Sequence, residues 1–167
     1  MFTECVSCFR FCNKLLRTQL GDVSDADAIP SEGHKAPRWI VGHLAVGNWY
    51  ACRFLGLADA HPIPDEWAAA FSPGTPSEPP YGLDDGAAFP GLDDLMAYLA
   101  ATEQPIVDAA AALPAGSLGE PHGVELLDGT GIDTQADLVA HLMTSHYAFH
   151  LGQLSIWRRA NGVTPLF

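Results

Sequence analysis

The feature that most constrains this chain is a long stretch of helical periodicity near its end, residues 134–161, which carries two histidines a single turn apart. Leu138, Leu142, His146, Phe149, Gln153 and Trp157 recur at steps of three and four, the spacing of one helix face. Thr134-Gln135-Ala136-Asp137 resembles a capping box in which Asp stands in for Glu. Arg158 and Arg159 fall in the last turn, where the helix dipole favours cations, and Gly162 follows as a natural stop. The spacing therefore predicts one helix through the whole stretch. His146 and His150, four residues apart, share a face of it. A divalent ion can bridge such a pair. Two ligands do not make a stable site, so a third must come from elsewhere in the chain.

Three more helices follow from the apolar pattern. The first spans about residues 3–20, with Phe2, Val6, Phe9, Asn13, Leu16 and Leu20 on one face and Gly21 as its stop. The second starts near Ala36-Pro37, with the proline in the first turn, and runs to Leu55-Gly56. At about 100° per residue, Trp39, His43, Tyr50 and Phe54 lie within about 60° of one another, which puts His43 inside an aromatic stripe. Gly47 lies on that stripe one turn after His43. It weakens the helix there and leaves room for something close to the backbone. The third helix covers about residues 92–113, with Leu92, Leu95, Met96 and Leu99 setting the period, and Pro105 is predicted to kink or split it.

The connections are long. Residues 22–35 read as an acidic surface loop. Residues 57–90 hold seven of the thirteen prolines, with Trp67, Phe71, Tyr81 and Phe89 as apolar anchors, and are predicted to pack over one end of the helices. Residues 114–131 are glycine-rich, and Val124-Glu125-Leu126-Leu127 reads as a short extended piece. The economical architecture is all-α: a single domain over residues 1–167 folded as a four-helix bundle, with irregular connections between helices 2 and 3 and between helices 3 and 4.

Composition narrows the function. Eight Lys and Arg against twenty Asp and Glu give a net charge of −12, which argues against a nucleic-acid partner and disfavours an anionic membrane surface. No apolar run approaches the ~20 residues of a membrane span. The first residues lack the basic and apolar regions of a signal peptide, so the expected compartment is the cytoplasm. Cys5, Cys8 and Cys12 share one helical face, and with Cys52 they read as small buried hydrophobes and not as a redox or zinc motif.

Among the seven histidines, His43 is the candidate third ligand. His141 precedes His146 by five residues, about 140° away on a continuous helix, and is excluded from the pair on that ground. His34, His61 and His122 fall in loops and read as solvated. Three neutral imidazoles with no thiolate suit zinc, nickel, cobalt or iron(II). Three protein ligands also leave positions open for water or substrate, as in a catalytic zinc site. Other chemistries lack their residues. There is no G-x-S-x-G, phosphate-binding glycine loop or H-E-x-x-H. The Glu-x-x-His of a di-iron bundle is missing too: Ile40, Met143 and Tyr147 stand three before His43, His146 and His150.

Trp39-Ile40-Val41-Gly42-His43-Leu44, the stretch His146-Tyr147-Ala148-Phe149-His150-Leu151-Gly152-Gln153-Leu154 and the closing Arg158-Arg159-Ala160-Asn161-Gly162 together resemble the DinB-like superfamily, which includes damage-inducible proteins and thiol-dependent S-transferases and isomerases. The resemblance implies an up-down-down-up bundle with a divalent metal, zinc or nickel first and iron or cobalt next, held by His43, His146 and His150. It also implies a homodimer, a small-molecule substrate and, in some members, a low-molecular-weight thiol such as bacillithiol or mycothiol as co-substrate. On this reading the chain is a metal-dependent S-transferase, or a hydrolase using metal-bound water, with Trp39, Tyr50, Gln153 and Trp157 lining or supporting the substrate pocket. The alternative is a non-catalytic metal-binding stress or interaction protein on the same bundle. A third reading is three satisfied core histidines with no metal.

Overall fold

Helices account for the regular structure of the residues that the computed structural model describes, 2–28, 35–74 and 90–164. In chain order they are α1 (Thr3–Leu20), α2 (Pro37–Phe54), α3 (Asp65–Phe71), α4 (Leu92–Ala112), α5 (Gln135–Met143) and α6 (Ser145–Ala160). No β-strand forms among the described residues, and a single isolated bridge pairs Pro121 with Thr134. The chain is thus all-α. α2 packs against α3, α4, α5 and α6, and α1 packs against α4, α5 and α6. α1 and α2 do not pack on each other, so α4 on one side and α5–α6 on the other separate them. The core between them is aliphatic and aromatic, with Phe9, Leu16, Trp39, Leu44, Leu95, Ile106, Tyr147 and Trp157 all buried. Among the described residues no helix is long and apolar enough to cross a membrane.

The local signals act as their chemistry requires, with three departures. Pro37 sits at the start of α2, and Thr134 and Asp137 close a reciprocal capping box at the start of α5. α4 continues through Pro105 as one helix, because Leu99, Thr102, Ile106, Val107 and Ala110 on both sides of the proline are buried against its neighbours. Residues 124–127 are not extended: Glu125–Leu127 forms one 3-10 turn, closed by Leu127 N–H donating to Val124 O at 3.0 Å. The predicted last helix is two helices. It breaks at Thr144 (φ −132°, ψ −89°), whose hydroxyl donates to Ala140 O at 2.6 Å while its N–H donates to His141 O at 3.1 Å. A hydroxyl that bonds back to the preceding turn competes with the helical ladder, and Thr144-Ser145 puts two such residues in sequence.

The Pro-rich connection is partly ordered into α3. Phe71 is fully buried, and Trp67 meets Tyr98 edge to face with ring centroids 6.0 Å apart. Tyr81, Phe89 and His34, also expected in connections, lie outside the described residues.

Two polar groups hold the helices in register. Tyr147 on α6 donates its hydroxyl to Asn48 Oδ1 on α2 at 3.1 Å, and Asn48 Nδ2 donates to Thr102 Oγ1 on α4 at 2.8 Å. Arg158, read from sequence only as a dipole-matching cation, is 2% exposed. Its guanidinium donates to Gln19 O, to both carboxylate oxygens of Asp22 and to Thr164 O, and so ties the end of α6 to the end of α1 and to the residues after α6. The Asp22 carboxylate is exposed, and hydrogen bonding to Arg158 holds its pKa below the ordinary value.

Arg158→Ala leaves the buried Gln19 carbonyl without its donor and should lower unfolding free energy by about 1–3 kcal/mol in chemical denaturation. The Asp22 contribution is fully present above the carboxylate's unfolded pKa and is lost as pH falls through the lower folded value. Asp22→Asn should therefore flatten the acid limb of the stability curve. An unchanged acid limb would show that the pair is not formed in solution.

Candidate metal centre

His43 comes from the middle of α2, and His146 and His150 from the first two turns of α6. Their ligand nitrogens all lie within 4.8 Å of one another. Nε2 of His43 and Nε2 of His146 are 3.1 Å apart, close to the roughly 3.4 Å that two imidazoles span on a tetrahedral zinc with Zn–N of about 2.05 Å. The ring centroids of the three pairs fall at 4.7–4.9 Å.

What surrounds each ring decides which nitrogen faces inward. His43 Nδ1 lies 2.7 Å from the carbonyl oxygen of Phe71, an acceptor that fixes the proton on Nδ1 and leaves the Nε2 lone pair directed at the cluster. His150 Nδ1 lies 2.8 Å from Gln153 Oε1, which does the same with the amide oriented to accept. Such outer partners set tautomer and ring orientation in metal sites. His146 Nδ1 is buried with no hydrogen-bond partner. A donor set of three imidazoles with two Nε2 lone pairs already committed inward fits a divalent cation of the borderline class.

Two glycines make room for this. A Cβ on Gly42 would overlap the ring of Phe71, so the residue before His43 must be bare for α3 to deliver its carbonyl. A Cβ on Gly47 would stand 2.9 Å from His146 Cε1, so the space that the sequence reserves beside α2 is filled by the second imidazole.

The cluster lies in a cavity of about 650 Å3 between α2, α5, α6, the residues just after α3 and the 124–127 turn. Trp39 stacks on His43 at 4.8 Å with its ring nearly parallel, and both Trp39 and Tyr50 line the cavity. Gln153 is placed to hold His150. Trp157, two turns beyond His150, is 2% exposed in the core and does not line the cavity. Leu126 and Leu127 line it and carried no signal in the periodicity, and Phe149, which the periodicity placed on the face of the last helix, lines it while exposed.

His141 stays outside the three-histidine group, but not for the reason read from the sequence, which assumed a helix that in fact breaks at Thr144. The ring lines the cavity with its centroid 5.5 Å from that of His146, and its Nδ1 lies 2.7 Å from Ser145 Oγ across the break. The adjacent cap-type residues Thr144-Ser145 are the signal that could have found it. Of the loop histidines, His122 is half-buried with its Nε2 2.7 Å from Ile132 O, and so organises the glycine-rich connection instead of standing in solvent. No disulfide joins the four cysteines; burial pushes the Cys12 thiol up to about 12 and the Cys52 thiol up to about 11, and Cys8 Sγ stands 4.0 Å from Cys12 Sγ.

Burial, followed by the charge of the neighbouring rings, pushes His146 well below its ordinary value, and it pushes His150 down to about 3. Burial also lowers His141. Near neutral pH His146 and His150 are therefore unprotonated, the state in which they ligate.

Gly47→Ala tests the seat of His146. Helix propensity alone favours the alanine by about 1 kcal/mol, while forced contact with a packed ring costs about 1–3 kcal/mol. The expected result is retained helicity by circular dichroism with metal affinity reduced by about 10- to 100-fold. Unchanged affinity would rule out the close contact. The depressed pKa values give a second test. A buried neutral imidazole stabilises the fold above the unfolded value of about 6.5, and that stability is lost as pH falls toward the folded value, by about 1.4 kcal/mol per pH unit per histidine. The metal-free protein should lose stability below pH 6.5, and His150→Gln should make the loss shallower. A flat profile from pH 7 to 5 would contradict the burial of these rings.

A family model described as DinB superfamily matches residues 13–154, most of the chain and all three histidines. No curated protein and no solved structure matches it.

Proposed function

The chain belongs to the DinB superfamily, and from that premise we propose that it is a metal-dependent enzyme whose ion is held by His43, His146 and His150. The observation that carries the reading is the convergence of three imidazoles from two helices, with Phe71 O and Gln153 Oε1 committing two of the outer nitrogens. Held by these three imidazoles, a divalent ion, zinc or nickel first and iron or cobalt next, would supply Lewis acidity that lowers the pKa of a bound water or thiol. That chemistry suits a thiol-dependent S-transfer or a hydrolysis. The cavity favours an enzyme over a metal-binding stress or interaction protein, since 650 Å3 of walled space beside the ligands is room for a substrate.

The chain's own residues divide the work. Phe71 and Gln153 hold imidazole protons and ring angles. Trp39 covers one face of His43 and with Tyr50 presents aromatic surface to the substrate. Leu138 and Leu142 exclude water from the inner wall. The finer architecture belongs to the same reading: one domain over residues 1–167, an up-down-down-up four-helix bundle in which α5 and α6 together form the fourth helix, homodimeric and cytoplasmic, with a low-molecular-weight thiol as co-substrate.

Elemental analysis of protein purified without a histidine tag should find about one divalent ion per chain. His150→Ala should lose it while keeping the helical spectrum. Full metal content in that variant would sink the three-histidine site, and metal-free wild type would sink the metal reading altogether.

A further inference from the structure

The 124–127 turn that completes the cavity is fastened by one side chain. Val124, Leu126 and Leu127 line the cavity from this turn, and Leu126 is 69% exposed there. The neck of the connection is closed by main-chain bonds. Ala136 N–H donates to Leu118 O at 2.9 Å, Gln135 N–H donates to Glu120 O at 2.8 Å, and Pro121 pairs with Thr134. Beyond that neck, the main-chain bonds among the described residues stay within the tip: Leu127 N–H to Val124 O, Asp128 N–H to Glu125 O and Thr130 N–H to Leu127 O. The link from one limb to the other passes to the His122 ring. Its Nδ1 accepts Val124 N–H at 2.8 Å, and its Nε2 stands 2.7 Å from Ile132 O. A ring that accepts at Nδ1 and faces a carbonyl with Nε2 is neutral and carries its proton on Nε2, because no other form serves both partners. Gly123 (φ +69°) and Gly131 (φ +85°) flank the two bonded positions, and a Cβ at either would meet nothing within 4 Å. These glycines answer to backbone conformation and not to crowding, so little besides the ring holds the tip.

We infer that His122 is a positioning residue for the mouth of the cavity: in its neutral form it clasps the 124–127 turn against the site, and protonation of the ring releases that turn. The inference rests on the reading of this cavity as the place a substrate enters, and adds what sets its rim. Imidazole is the side chain whose ordinary charge change falls between pH 5 and 8. A protonated ring has two donors and no acceptor. Its Nδ1–H would then face Val124 N–H, donor against donor, while Nε2–H keeps Ile132 O and binds it more strongly as a charged donor. Release is therefore one-sided. The ring stays with the Ile132 limb, and the limb that carries Val124, Leu126 and Leu127 comes free. The charged groups around the ring are acidic. Asp137, from the first turn of α5, is close enough to feel the charge of His122, and its carboxylate is already held by the N–H and hydroxyl of Thr134. Glu120, Glu125, Asp128 and Asp133 belong to the connection itself, and no Lys or Arg stands between residues 114 and 134.

Amide hydrogen exchange by NMR tests this on the full chain, zinc-loaded and chelator-treated, between about pH 7.5 and 5, with the His122 ring titrated in the same samples. After correction for intrinsic rates, protection of Val124 N–H should fall about tenfold or more as the ring takes up its proton, with the same midpoint. The Asp137 N–H of the capping box, bonded to Thr134 Oγ1, should stay protected and serves as the internal reference. His122→Asn replaces the ring with an oxygen that can accept Val124 N–H as an Asx turn and takes up no proton, so its Val124 protection should stay near the neutral wild-type value throughout. His122→Ala should show low protection at every pH. N-phenyl-1-naphthylamine, an apolar probe uncharged over this range, should bind wild type at pH 7.5 and His122→Asn alike, and His122→Ala about tenfold more weakly. Val124 protection that stays flat in wild type, an equal pH dependence in His122→Asn, or probe affinity untouched by His122→Ala would overturn the inference. Metal-free wild-type protein with the His122 dependence intact would remove the metal reading and leave the clasp standing. One ion per chain with Val124 indifferent to His122 would do the reverse.

Discussion

Three imidazoles share one partly buried place, and that constraint governs the surrounding structure. Protonated rings there would repel one another with little water to screen them, and burial lowers the pKa of His146 and His150 so that they favour the neutral form. Neutral rings still need their outer protons accepted. α3 supplies a carbonyl to one and α6 supplies Gln153 to another. The requirement then spreads into backbone terms. Gly42 is bare so that Phe71 can approach, Gly47 is bare so that His146 can, and α6 must start where its first two turns face α2. Asn48, one residue after Gly47, clamps Tyr147, one residue after His146. The polar tie between the two helices therefore sits directly beside their closest approach.

What the sequence made legible depended on how local the cause was. The bounds of α1, α2 and α4 follow from periodicity and end signals within a few residues, and so did the pairing of His146 with His150 and the candidacy of His43. The break at Thr144 was hidden because the apolar face continues in register across it. The interruption lies in what two hydroxyl side chains do to the backbone, and a count of apolar steps does not see that. His141 was lost by the same assumption, since a rotation of about 100° per residue has no meaning across a break. Phe71 O could not be read at all: every residue has a carbonyl, and only the path of the connection decides which one faces His43. Leu126 was equally silent, because an exposed leucine in a glycine-rich loop becomes informative only when a cavity is found beneath it.

Function and fold are segregated in the molecule. The α1 side holds the apolar mass, with Phe9 and Leu16 buried and Arg158 fastening the ends of α1 and α6. The opposite side of α2 holds the histidines and the cavity, walled in part by irregular chain. α2 serves both, presenting Leu44 and Ala45 to the core and His43, Gly47 and Tyr50 to the cavity. Helical walls keep the three ring nitrogens in register, while irregular chain completes the cavity.

The bond from His43 to Phe71 O separates two kinds of tolerance in the Pro-rich connection. A carbonyl oxygen has no side-chain identity, so no point substitution at residue 71 deletes the acceptor itself. The distance along the chain from the end of α2 to that carbonyl is another matter. Between Phe54 and Phe71 the path has to return over the side of α2 that carries Gly42 and stop at the height of His43. One residue more or less in that span would present a different carbonyl, rotated by about a third of a helical turn, to the same imidazole. The site thus measures the connection by length, while the buried Phe71 ring beside Gly42 pins the end of that length in place.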